Sequence, residues 1–297
     1  MSSNGSLEEA LAGRIAAGWI ALGGQLAGAP ETSVVDLEAL LAVTSRMSPV
    51  IDARTRDVAL DWCVRYGTYI SSVRLARVAK EMDAAEQVAA FAALVAASGG
   101  TRWSVAGDRR AQRHEVRDRV LVKDLHSDAR LTWRLRAAFG VSARADILAA
   151  LLVSDPRSTI SDLARRTRYA KRSVAVAVEA LALAGLVEVD RIGRVDRVRL
   201  APDAPVRAWA PGPSQVSAAD VVSRWCVAVG AVTVLAATED APAAVAAIER
   251  RVSADALRPA MVAAELPRPD LTILGEAFAR EYERWADLLA RSIARDR

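Results

Sequence analysis

The residues in this chain best equipped to do chemistry are cations. Arg165, Arg166, Arg168, Lys171 and Arg172 crowd into one short stretch, and Arg191, Arg194, Arg197 and Arg199 follow in a second. Guanidinium and ammonium groups offer charge and hydrogen-bond donors, and their natural counterparts are phosphates and carboxylates. Residues 102 to 202 hold 21 Lys+Arg against 12 Asp+Glu, a surplus of nine, in a chain whose net charge is +4. The rest of the chain is therefore acidic, at −5. A basic middle between acidic ends is the electrostatic footprint of a polyanionic partner. The plain alternative for any one of these arginines is a solvated charged surface. Arginine abundance alone decides nothing, because lysine occurs only at Lys80, Lys123 and Lys171.

Other chemistries lack their residues. The two histidines, His114 and His126, stand in no HExxH pattern, and Cys63 and Cys226 form no CxxC pair. Each cysteine follows a tryptophan in an apolar run and reads as a small buried hydrophobe in a reducing compartment. There is no phosphate-binding glycine loop and no Gly-x-Ser-x-Gly elbow. We expect no enzyme activity, no metal and no cofactor. The longest uncharged run, Ile15 to Pro30, has 16 residues and four glycines, short of the roughly 18 needed to span a bilayer. The opening MSSNGSLEEA has no signal-peptide pattern. The expected location is the cytoplasm, with no membrane partner.

Elements to position the cations are legible in the apolar periodicity. Leu7, Leu11, Ile15, Trp19 and Leu22 recur at helical spacing, as do Val34, Leu37, Leu40 and Leu41. Met47-Ser48-Pro49 breaks the pattern. Val58, Trp62 and Tyr66 mark a third helix stopped at Gly67, and Ser71 can cap a fourth with Val73, Val78 and Ala79 inward. Phe91, Leu94 and Val95 line a fifth. Residues 101–128 are poorly periodic, with short strands expected at Arg102–Val105 and Val120–Val122. The motif around Asp57, Trp62 and Gly67 is echoed at Asp220, Trp225 and Gly230, which chance between two Ala/Val-rich helices explains more readily than descent.

The middle is more specific. Ser142 can cap a helix with Ile147, Leu148, Leu151 and Leu152 inward, ending at Ser154-Asp155-Pro156. Thr159 and Asp162 have capping-box spacing. A helix with Ile160, Leu163 and Ala164 inward leads to a turn at Arg168-Tyr169-Ala170. A third helix from Lys171 buries Val174, Ala177, Val178 and Leu181 and stops at Gly185. Residues 186–190 and 195–200 alternate with period two around Gly193, a β-hairpin. Through the strings Ile147–Leu152, Ile160–Thr167 and Glu179–Val187, this stretch resembles the winged helix domains of ArsR- and MarR-like bacterial transcription regulators. The likeness covers about a fifth of the chain.

The resemblance implies that the third helix enters the major groove of double-stranded DNA and the hairpin wing lies along the backbone or minor groove. Lys171, Arg172 and Ser173 would then reach bases. Arg165, Arg166 and Arg168 would meet phosphates, and Arg191, Arg194, Arg197 and Arg199 would line the wing. Val176 faces outward with Arg172, Glu179 and Leu183, and suits only a thymine methyl. The expected architecture is mostly α. A helical domain (1–100), a basic connector (101–128), a winged helix-turn-helix (129–203), a Pro-rich linker (204–214) and a helical C-terminal domain (215–297) follow in order. The last helix, about Leu271 to Ile293, carries a stripe of Leu274, Phe278, Tyr282, Trp285 and Leu289, expected to join a homodimer. The expected function is transcriptional regulation, with effector unknown. The alternatives are a DNA-binding component of a mobile-element, toxin–antitoxin or phage-defence system, and a winged helix used as a protein-interaction module.

Overall fold

The computed structural model describes residues 3–107, 109–153, 158–192, 195–212 and 220–295. Five helices open the chain: α1 (Ser3–Ala21), α2 (Leu37–Arg46), α3 (Ala53–Tyr66), α4 (Ser72–Glu81) and α5 (Ala85–Ala97). The starts of α2, α3 and α4 are set by side chains that accept orphan backbone N–H groups. Asp36 accepts from Ala39, Asp52 from Thr55 and Ser71 from Arg74. A middle unit follows: α6 (Leu131–Phe139), α7 (Ala143–Val153), β1 (Ser158–Thr159), α8 (Ile160–Thr167), α9 (Lys171–Leu183), β2 (Val187–Ile192) and β3 (Val195–Leu200). Three helices close the chain: α10 (Val221–Ala237), α11 (Ala243–Ala263) and α12 (Ala277–Arg295). The described residues are mostly helical, with one small antiparallel sheet among them in the order β1-β3-β2. No helix among the described residues is long and apolar enough to cross a membrane.

The apolar residues gather into two cores. The larger holds the inward faces of α1–α5 together with those of α10–α12, so both ends of the chain contribute to it. Leu7, Leu11, Ile15 and Trp19 of α1 are buried there, and Trp19 donates its indole N–H to Thr44 at 2.9 Å. The smaller core is built from α6–α9, the sheet and residues up to Val206.

The last helix departs from expectation. Phe278, Tyr282, Trp285 and Leu289 are at most 1% exposed, packed inside the chain's own larger core. The guanidinium of Arg14 in α1 donates to the Ile293 carbonyl across this seam. The aromatic stripe expected to join two copies is thus filled by α1 and its neighbours. Leu274 precedes α12 and is 70% exposed.

Other local readings also change. Val73 lies on the outer side of α4, because Arg74 takes the inward position through its ion pairs. Among the described residues, the strands expected within 101–128 reduce to a 3-10 turn at Ser104–Ala106 and an isolated bridge between Gly24 and Val120. The hydroxyl of Ser142 makes no hydrogen bond among the described residues, so it does not cap α7. The expected linker is partly structured. Pro205–Trp209 forms a 3-10 turn, Val206 is buried in the smaller core, and Trp209 packs on Phe139 beneath the Arg134 guanidinium. Four expectations fall outside the described residues: the end of α7 at Ser154-Asp155-Pro156, the turn at Gly193, the wing residue Arg194, and Pro213.

Candidate nucleic-acid interface

The cations are positioned by short elements with strong local signals. Thr159 accepts the Asp162 N–H at 3.1 Å, while the Asp162 carboxylate accepts from the Thr159 backbone N–H and hydroxyl. This completes the capping box and fixes the start of α8. Arg168 then adopts a left-handed conformation, φ 58°, and turns the chain into α9. At the far end of α9, the N–H of Gly185 reaches the Ala182 carbonyl at 3.0 Å and that of Leu186 reaches Leu181 at 2.9 Å. That is a Schellman closure, and Gly185 sits at φ +69°, where a glycine carries little strain. The chain leaves directly into the β2–β3 hairpin.

On α9, Val174, Ala177, Val178 and Leu181 are buried. Lys171, Arg172 and Ser173 are exposed in its first turn, with Val176, Glu179 and Leu183 exposed further along. Val176 is 60% and Leu183 90% exposed. Arg191 and Arg197 are exposed on the hairpin. Arg197 lies opposite Asp190 in the β2–β3 register and Thr159 in the β1–β3 register. Arg199 is committed to a cross-strand pair with Glu188 and Asp190, so it stiffens the hairpin. Arg194 lies outside the described residues.

The three arginines of α8 and its turn have different fates. Arg165 is exposed, its guanidinium 3.8 Å from both Asp162 and Asp220. Arg166 is half-buried, and burial followed by the charge of Arg165 pushes its pKa down. Arg168, expected at a phosphate, is buried instead. It donates to Glu81 at 2.8 Å, Asp220 at 2.7 Å and Ser223 at 3.3 Å. Burial works against its charge, but Asp220 and Glu81 outweigh that and raise its pKa. Its guanidinium is consumed by the α4 and α10 side chains packed over the turn.

Arg168 is one part of a clamp that holds the middle unit to the helical body. Arg77 donates to the Arg168 carbonyl at 2.8 Å, Arg74 to the Thr167 carbonyl at 2.9 Å, and the Tyr169 hydroxyl meets Ser71 at 3.0 Å. Deeper in the seam, Arg136 makes paired hydrogen bonds to Asp146, both at 2.9 Å, and to Glu38 at 2.5 and 2.9 Å. Arg74 pairs with Asp36 and Glu38. Burial alone would raise the Asp36 carboxyl, but the charge and hydrogen bonds of Arg74 hold it at about 2. Glu38 is lowered likewise, by Arg136 and Arg74 against the cost of burial. A buried charge stripped of its partner is costly, so these groups must stay together. The sequence carried a faint trace of this cluster: Glu38 and Arg136 interrupt apolar helical faces, where a charge needs a partner.

No group of three or more His, Cys, Asp or Glu among the described residues could hold a metal ion. Burial pushes the Cys63 thiol far up and that of Cys226 to about 12, so neither is a ready nucleophile. The chain matches no family model, no curated protein and no solved structure.

Proposed function

We propose that the middle unit is a winged helix-turn-helix and that the protein binds double-stranded DNA as a transcription regulator of the cytoplasm. The observation that carries the reading is the exposed basic first turn of α9. Lys171, Arg172 and Ser173 are exposed there, and the hairpin exposes Arg191 and Arg197. The order of α7, β1, α8, α9 and a two-stranded hairpin supports it, since a winged helix offers α9 to the major groove and its wing to the backbone. Arg165 borders the same face and suits a phosphate. Fluorescence anisotropy of labelled duplexes at two salt concentrations tests the reading. Binding that weakens steeply with salt is expected, because displaced counterions drive the association. Absence of binding at low salt contradicts it.

A second reading has its own observation. Val176 and Leu183 are largely exposed on the outer face of α9. A protein-binding role would cover them, whereas DNA uses at most Val176, against a thymine methyl. Leu183→Ser distinguishes the two: it leaves duplex binding unchanged if α9 serves DNA.

A further inference from the structure

We infer that the groove between α3 and α5 binds a small anion carried on an apolar body, such as an aromatic carboxylate or an aryl phosphate. The groove encloses about 540 Å³, a volume typical of small-molecule sites. Helical spacing builds it. Gln87, Ala90, Phe91 and Leu94 lie at i, i+3, i+4 and i+7 along one face of α5, and Arg56 and Leu60 lie four apart on α3. Leu60 and Phe91 are buried and Leu94 is half-buried, so the bottom is apolar. Among the described residues, none of α8, α9 or the hairpin lines the groove, and the inference does not rest on the DNA-binding reading.

One wall is the stretch 112–114, and buried Asp61 pins it. One oxygen of the Asp61 carboxylate lies 3.2 Å from Nε2 of His114. The other accepts the backbone N–H groups of Arg117 and Arg119, both at 3.1 Å. The backbone N–H of His114 donates to the Ser98 hydroxyl at 2.8 Å. The wall is therefore set before a ligand arrives, which lowers the ordering cost of binding. The charge on the lining is uneven. Asp57 is the one carboxylate among the described lining residues, and Arg119 pairs with it at 2.7 Å. Arg56 and Arg113 are exposed and have no ion pair or side-chain hydrogen bond among the described residues. Two uncompensated guanidinium groups beside the amides of Gln87 and Gln112, above an apolar floor, suit an anionic head on an apolar body. Inorganic phosphate or duplex DNA would meet the cations and leave the floor uncovered.

Equilibrium dialysis of the full chain against 2-naphthoate, 2-naphthyl phosphate and the neutral 2-naphthylmethanol tests the inference. At least one of the anions should bind at one site per chain, about tenfold more tightly than the alcohol. The two anions tell a carboxylate head from a phosphate head. An Arg56→Gln, Arg113→Gln double variant should lose the preference for the anion. Ala90→Trp, which puts an indole into the groove from an exposed position of α5, should weaken the anion and leave the helical circular dichroism unchanged. A Lys171→Glu, Arg172→Glu double variant should bind the probes as the wild type does. Anions that bind no better than the alcohol, or anion binding unchanged in the two groove variants, overturn the inference. Loss of the anion from the Lys171→Glu, Arg172→Glu variant also overturns it, because the probe would then sit on α9. Displacement of the anion by duplex DNA overturns it as well, because nucleic acid would then be the occupant.

Discussion

Residues of one type diverge here according to their surroundings. Arg168 and Arg172 are four positions apart, yet one is buried among carboxylates and the other faces water. Their truncations should therefore fail differently. Arg168→Ala removes the close partner of buried Asp220 and leaves it only Arg165 at 3.8 Å, so it is expected to cost up to about 3–5 kcal/mol of stability, read as a lower denaturation midpoint. The affinity of the folded fraction for DNA should hardly change. Arg172→Ala should leave the melting curve alone. It should cost about 1–3 kcal/mol on the best duplex and relax discrimination at one base pair. Arg197→Ala on the hairpin should weaken every duplex about equally and reduce the salt slope by about one. Equal losses for Arg172→Ala and Arg197→Ala on all sequences would show that α9 reads no bases.

At the scale of elements, local signals decided what was legible. The capping box of Thr159 and Asp162, the glycine at 185 and the period-two alternation around 187–200 placed α8, α9 and the hairpin close to their observed bounds. Thr159→Ala removes the cap and should cost about 1 kcal/mol, measurable by chemical denaturation. β1 was not legible, because a two-residue strand has no periodicity and exists only through pairing with β3. The partner of α12 was not legible either. An amphipathic stripe states that a face will be covered, and not whether the cover lies in the same chain. Here α1, nearly the whole sequence away, supplies it. Arg168 misled for a related reason: its type and spacing suited a phosphate, but the acids that bury it come from residues 81 and 220.

For the whole molecule, the buried clamp of Asp36, Glu38, Arg74, Arg136 and Asp146 joins the middle unit to the helical body, so the two should unfold together. The pKa values of Asp36 and Glu38 are depressed in the folded state. Their contribution to stability is therefore complete above the ordinary carboxylate range and is lost as pH falls through the folded values. Stability should be nearly flat from neutral pH down to about 4 and fall steeply from there toward about 2. Acid denaturation followed by tryptophan fluorescence and far-ultraviolet circular dichroism checks this. Coincident transitions are expected, since a separate early loss of the middle unit would mean that the clamp does not hold it.

The central claim is that the exposed basic face of α9 and the hairpin binds duplex DNA. Its most direct test is the salt dependence of that binding in the wild type and in a Lys171→Glu, Arg172→Glu double variant, both confirmed as folded. Each cation that neutralises a phosphate contributes about 0.9 to the slope of log affinity against log salt. The account predicts tight binding at low salt, a steep slope in the wild type, and a slope smaller by about two in the variant. Wild-type protein that binds no duplex at low salt, or a variant with the wild-type affinity and slope, would contradict it.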